Sequence, residues 1–200
     1  MPSSKPAAVP SERRASSRIN PVPSLNTLVG NLDGAQKAFL RAADSVPADQ
    51  WATSPGEGRW SAAELVGHLI TVERAILRNA DKVLHKPPQA LPFYKRFHIP
   101  MAVVELRLIR RKAPIPIDGQ TLQEKEAMLA ELREVRERTL AFIEETRGRD
   151  LSPYSMPHAF LGTMNIYGWL QLIASHEVRH TKQMREIAAS LPKVVANLQK

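Results

Sequence analysis

The chain has 200 residues and a mass of 22.3 kDa, with 43% hydrophobic residues and no cysteine. That length suits one domain with its own core, and the lack of Cys excludes disulfides, thiolate zinc sites, iron–sulfur ligation and a cysteine nucleophile. The formal net charge of +8 raises nucleic acid as a partner, but the excess is local rather than spread along a face, so nucleic-acid binding is not the expected role.

The first part of that excess lies at the N-terminus. Residues 1–24 form a basic segment rich in Pro and Ser, with Lys5, Arg13, Arg14 and Arg18 against Glu12 and no apolar period. Such a composition cannot repay its ordering entropy, so a disordered or loosely packed tail is expected, followed by a single domain over 25–200. Arg13-Arg14 leads into Ala-Ser-Ser-Arg rather than an apolar run, so export is not expected and a cytoplasmic location is.

Leu25, Leu28, Leu32, Phe39 and Ala43 recur at helical steps and predict a first helix stopped by Pro47. Ser61-Ala-Ala-Glu64 is a capping box that opens a second helix, with Ala62, Leu65, Leu69, Val72, Ile76 and Val83 inward and Pro87-Pro88 as its stop. Residues 86–118 hold six prolines and the second basic cluster, Arg107, Arg110, Arg111 and Lys112. A short extra helix over 101–109 is possible within this long connection. Thr121-Leu-Gln-Glu124 reads as a second capping box. It predicts a third helix with Leu122, Leu129, Leu132, Val135, Phe142 and Ile143 inward, its charges outward, and Gly148 and Pro153 at its close.

A last helix is expected from about Thr163 to Ser190, before Pro192. Strand signals are nearly absent. The whole is therefore all-α, a four-helix bundle with one long connection between helices 2 and 3. No run reaches the ~18 apolar residues of a membrane span, since the most apolar stretch, 161–174, is broken by Asn165, Gly168 and Gln171. No membrane partner is expected.

The chemistry concentrates on three histidines. On the last helix the inward stripe reads Ile166, Trp169, Ile173, His176, His180, Met184, Ile187, so two imidazoles stack one turn apart on the buried seam. His68 lies three after Leu65 and four before Val72, at the edge of the second helix's buried stripe. One buried imidazole is commonly a satisfied core residue. Three together would repel if protonated and lack partners if neutral, and a divalent metal solves both problems. His68, His176 and His180 are the candidate metal ligands, and three ligands with one open position is the catalytic rather than the structural arrangement. Zn, Ni, Cu and Fe all suit histidine ligation, with Zn or Ni the expected ion.

His176-Glu-Val-Arg-His180 also matches the zinc-protease string H-E-x-x-H. The Gly and third His of a metzincin do not follow, and only 20 residues remain for a further ligand helix, so a protease is not the reading preferred. Glu177 is the candidate catalytic base or imidazole-orienting group, against the plainer alternative of a salt bridge. Glu73 ranks below it, as a partner for Arg74 or an Arg of a neighbouring helix. Arg179 and Lys182 flank the second ligand and are candidates to meet an anionic substrate, with a place on the solvated side the preferred reading. Trp60 and Trp169 are assigned to packing, and Met156, Met164 and Met184 to core filling. His85 and His98 read as loop residues.

Arg59-Trp60-Ser61-Ala-Ala-Glu-Leu-Val-Gly-His68-Leu69 with Glu73, and His176-x-x-x-His180 with Gln183, resemble the second- and last-helix signatures of the DinB/YfiT-like superfamily from about Leu25 to Leu191. The resemblance implies a DinB-type four-helix bundle with a histidine-triad metal site, His68 as first ligand and His176 and His180 as the last two. It also implies a homodimer, and metal-dependent transferase or isomerase chemistry with an external low-molecular-weight thiol such as bacillithiol or mycothiol. His158, after Pro157, corresponds to a loop over the family's site and is the candidate cofactor-binding residue, against the plainer alternative of a surface-loop histidine. The long 86–118 segment and the basic tail depart from the simplest members. The expected function is thus metal-dependent chemistry on a small molecule, by thiol transfer or hydrolysis. The alternatives are a non-catalytic, stress-associated metal-binding bundle, a zinc protease and a nucleic-acid-associated protein.

Overall fold

The computed structural model describes residues 24–88, 124–159 and 161–192. The expected tail, the extra helix over 101–109, the 107–112 basic cluster, Leu122 and His98 fall outside these residues. Four long helices form a four-helix bundle: α1 (Leu25–Asp44), α2 (Ala62–Leu84), α3 (Lys125–Glu145) and α4 (Ile166–Ser190). A 3-10 turn (Ala48–Gln50) follows α1, and a hairpin of β1 (Ser155–His158) and β2 (Gly162–Asn165) precedes α4.

The helix starts follow from local chemistry. Ser24 caps α1 by accepting from the Thr27 amide at 3.2 Å. At α2 the expected box is complete: Ser61 Oγ accepts from the Glu64 amide at 3.2 Å, and Glu64 Oε2 accepts from the Ser61 amide at 2.7 Å. Two orphan donors are satisfied reciprocally, and Trp60 immediately precedes this cap. Thr121, which opens the expected second box, lies outside the described residues. Glu124 is the N-cap of α3, without a side-chain cap bond, and the helix begins at Lys125. The lesser capping energy of a Glu is offset by packing, because Met128, Leu129, Leu132, Val135 and Ile143 are all buried.

The hairpin corrects the expectation of a helix from Thr163. Pro157 interrupts β1, and neither four-residue strand alternates β-branched side chains, so the sequence carries little strand signal. The antiparallel register pairs Ser155 with Asn165 and His158 with Gly162. An isolated two-stranded ribbon is marginal in water. This one is anchored by buried Met156 and Met164 and by Trp169 Nε1, which donates to the Met156 carbonyl at 3.1 Å. Gly162 has φ +81°, where a side chain would be strained. Asn165 then caps α4 through the Gly168 amide at 2.9 Å.

α1 packs on α4 and α2 on both α3 and α4. The apolar core falls into two large clusters along the bundle, with a small third one of Leu161, Met164 and Leu172 beside the hairpin. One takes Phe39 to Val46, Ala62 to Ile70, Met128 to Val135 and Met184 to Leu191; the other takes Leu28 to Ala35, Ile76, Ala80, Ile143 and Ile166 to Ala174. A polar layer lies at their junction. Arg136, expected among the outward charges of α3, is 1% exposed. Its Nε and Nη2 donate to the two oxygens of Glu73 at 2.9 and 3.1 Å, Nη2 donates to Glu177 Oε2 at 3.0 Å, and Nη1 donates to the Leu32 carbonyl at 2.6 Å. Thr139 donates its hydroxyl proton to Glu73 Oε1. One guanidinium thereby ties α1, α2, α3 and α4.

Burial works against the Arg136 charge, but the Glu73 hydrogen bond and the charges of both carboxylates outweigh it and raise the pKa. Removing one partner of a buried charge cluster leaves the others uncompensated. Arg136→Ala is therefore expected to lose about 3–5 kcal/mol of stability, read as a lowered urea midpoint with near-parental slope. An unchanged midpoint would contradict the assigned role.

Candidate metal centre

The capping box at Ser61 starts α2 so that His68 falls two turns in, facing α4 between Leu65 and Leu69. His176 and His180 enter from α4 on its inward stripe. The structure brings these three together. His180 Nε2 lies 3.0 Å from His176 Nε2, and His68 Nε2 lies 3.3 Å from the same nitrogen. Three nitrogens arranged tetrahedrally about an ion at 2.0–2.1 Å are separated by about 3.3 Å, so the spacing fits a common ion. One donor atom from each histidine lies within 4.8 Å of the others, and among the described residues no further His, Cys, Asp or Glu joins them.

For two of the three imidazoles, burial favours the neutral form that a metal ligand needs. Burial lowers the His68 pKa to about 4. For His176, burial and then the neighbouring charges of His180, His68, Arg179 and His158 push it well below its usual value. Gln183 Oε1 lies 3.0 Å from His180 Nδ1. An amide oxygen only accepts, so Nδ1 carries the proton and Nε2 offers its lone pair to the cluster.

Trp60 forms one wall. Its ring centroid is 5.0 Å from that of His68 and 6.3 Å from that of His180, stacked at 21° on the latter. The packing role assigned from sequence missed this contact, because a residue just before a helix cap has no periodic phase to read.

His158 lies at the end of β1, half-buried, with Nδ1 accepting from the Leu161 amide at 3.1 Å and its ring 5.2 Å from Trp169. Burial lowers its pKa. Glu177 accepts from Arg136 through Oε2, and burial pushes its pKa up to about 7 against the lowering effect of Arg136. Glu73 likewise binds Arg136, while Arg74 pairs with Glu131 at 2.6 Å. Met156, Met164 and Met184 are core residues, as expected, and His85 is an exposed C-cap. The groups that sequence reasoning missed are Arg136 and Thr139. A basic residue four after Leu132 and seven before Ile143 shares the buried phase of α3, and that phase was the available signal.

A helical bundle holding three convergent imidazoles at its centre defines a class of protein with a histidine triad that could hold a metal ion. A profile of the DinB superfamily matches residues 31–184, and the chain belongs to that superfamily. Among solved structures it is similar to YfiT from Bacillus subtilis, described as a probable metal-dependent hydrolase with an unusual four-helix bundle topology. The TM-score is 0.56 at 16% identity, covering 93% of this chain and 92% of that one. No curated protein matches. No helix among the described residues is long and apolar enough to cross a membrane.

Two buried groups oppose each other in acid. The lowered His68 pKa gives stability that is present above pH 6.5 and lost as pH falls towards about 4. The raised Glu177 pKa gives stability that is present below its unfolded value of 4.5 and lost as pH rises through about 7. Between pH 4.5 and 6.5 their slopes offset. Metal-free Glu177→Gln removes one of them, so its stability should fall more steeply on acidification than the parent's, by up to about 1.4 kcal/mol per pH unit. Urea titrations at several pH values would show this, and parallel profiles would refute it.

Proposed function

We propose that the protein is a metal-dependent enzyme acting on a small molecule, with His68, His176 and His180 holding a divalent ion, Zn or Ni by preference. The observation that carries this reading is the convergence of three Nε2 atoms at ion-like spacing, with burial favouring the neutral form of His68 and His176. The three-ligand set, among the described residues, leaves a coordination position for an exogenous ligand. When bound, such an ion supplies Lewis acidity that lowers the pKa of a coordinated thiol or water. The chain has no Cys, so a thiol nucleophile would come from solution. The YfiT description favours hydrolysis as the reaction type.

The chain's own groups have definable tasks. Gln183 fixes the His180 tautomer. Trp60 offers an aromatic wall against which an apolar part of a substrate can lie, and His158 stands close enough to influence His176. A protease reading is disfavoured by Glu177, whose carboxylate is bound to Arg136 at the core instead of standing free as a base.

Elemental analysis of untagged protein beside His176→Ala tests the proposal. About one divalent ion per chain, lost in the variant, is the expected result; no ion in either after reconstitution would overturn it. Loading with Co(II) or Ni(II) should also quench tryptophan fluorescence, with much of the effect missing in Trp60→Phe. A metal-loaded protein inert towards ester, amide and thiol-acceptor panels, with and without added thiol, would favour the non-catalytic bundle instead.

A further inference from the structure

The two oxygens of Glu177 have different surroundings. Oε2 accepts from Arg136 at 3.0 Å, whereas Oε1 is buried with no hydrogen-bond partner. A small cavity of about 10 Å³ lies between α2 and α4, lined by Leu69, Val72, Glu73, Ile173, His176 and Glu177. That is the least volume in which one water fits, and a buried water needs two to four polar partners. Three of the lining residues are polar and three aliphatic, and of the polar ones Glu73 already accepts from Arg136 and Thr139 through both its oxygens. His176 directs Nε2 to His68 and His180, so Nδ1 is the nitrogen it has left to offer.

We propose that Glu177 is a positioning residue for His176, accepting through Oε1 from a single water in this cavity that in turn accepts from His176 Nδ1–H. The inference rests on the metal-site reading. It makes His176 the counterpart of His180: each imidazole is held in the Nδ1–H tautomer, one by the amide of Gln183, the other by a carboxylate one water away. In both, the Nε2 lone pair is turned to the centre and the ring is fixed against rotation. Partners of this kind commonly change metal affinity ten- to a hundredfold when removed.

Glu177→Gln tests it. Arg136 only donates, so the new amide must turn its oxygen to Arg136 and its NH₂ to the cavity, presenting a donor where the water needs an acceptor. Arg136 keeps its paired bonds to Glu73, so the fold has a balanced ion pair. The expected result is a Co(II) dissociation constant ten- to a hundredfold weaker, with a shifted visible d–d spectrum and unchanged far-ultraviolet circular dichroism of the metal-free protein. Val72→Ile is the second variant. It takes up the water's space while leaving every charged side chain in the sequence, and should weaken Co(II) binding in the same sense; it decides the matter if Glu177→Gln fails to fold. Co(II) affinity within twofold of the parent in either folded variant would overturn the proposal, even with altered stability. A parent that binds no Co(II) would instead overturn the metal reading on which this one stands.

Discussion

The bundle is organised around one buried guanidinium. Arg136 reaches the Leu32 carbonyl of α1, Glu73 of α2 and Glu177 of α4 from its place on α3. Apolar packing alone is tolerant of small slides between helices, since one aliphatic contact replaces another at little loss. A guanidinium with a fixed fork of donors is not tolerant. Glu73 is five residues from His68, and Glu177 is adjacent to His176. The bonds that set the heights of the two carboxylates therefore set the heights of the two helices that carry the imidazoles.

That arrangement also explains why the core divides. Each helix contributes apolar residues above and below the same level, and at that level it contributes something polar: a backbone carbonyl, Glu73, Arg136 with Thr139, and Glu177 beside His176. Two carboxylates against one guanidinium leave a surplus of negative charge when both are ionised. In an isolated core this would be unfavourable, and burial accordingly raises the Glu177 pKa. Beside a divalent cation on neutral imidazoles, as proposed, the same surplus becomes favourable. The layer is thus poorly balanced without a cation and better balanced with one.

Much of this was legible from residue order. The capping box at Ser61 and the stripe through His176, His180 and Met184 are local patterns, set by helix geometry within a few residues, and the structure keeps them. The convergence of His68 with the α4 pair also follows, because a polar group on a buried seam must meet something. Three features were not legible in the same way. Arg136 was read as solvated because a basic residue has a strong prior for the surface, although its phase put it inward. The hairpin at 155–165 has no periodic signal, since its stability comes from Trp169 and two buried methionines rather than from strand propensity. The start of α3 at Lys125 was not legible because Glu124, read as the far end of a capping box, is itself the N-cap, and burial of the apolar face sustains a helix without a side-chain cap.

The string His176-Glu-Val-Arg-His180 shows why spacing has to be read together with its surroundings. On a helix the two histidines share a face, while the intervening Glu is displaced about 100° around the axis. A helix lying against one neighbour would leave that Glu to solvent or to a substrate. Here α4 packs against both α1 and α2, so the displaced position is also interior, and it looks towards α3. A carboxylate there needs a cation, and Arg136 provides it. The same five residues therefore address two separate layers of the bundle, a nitrogen-donor cluster on one face and an ion-paired tie on the next.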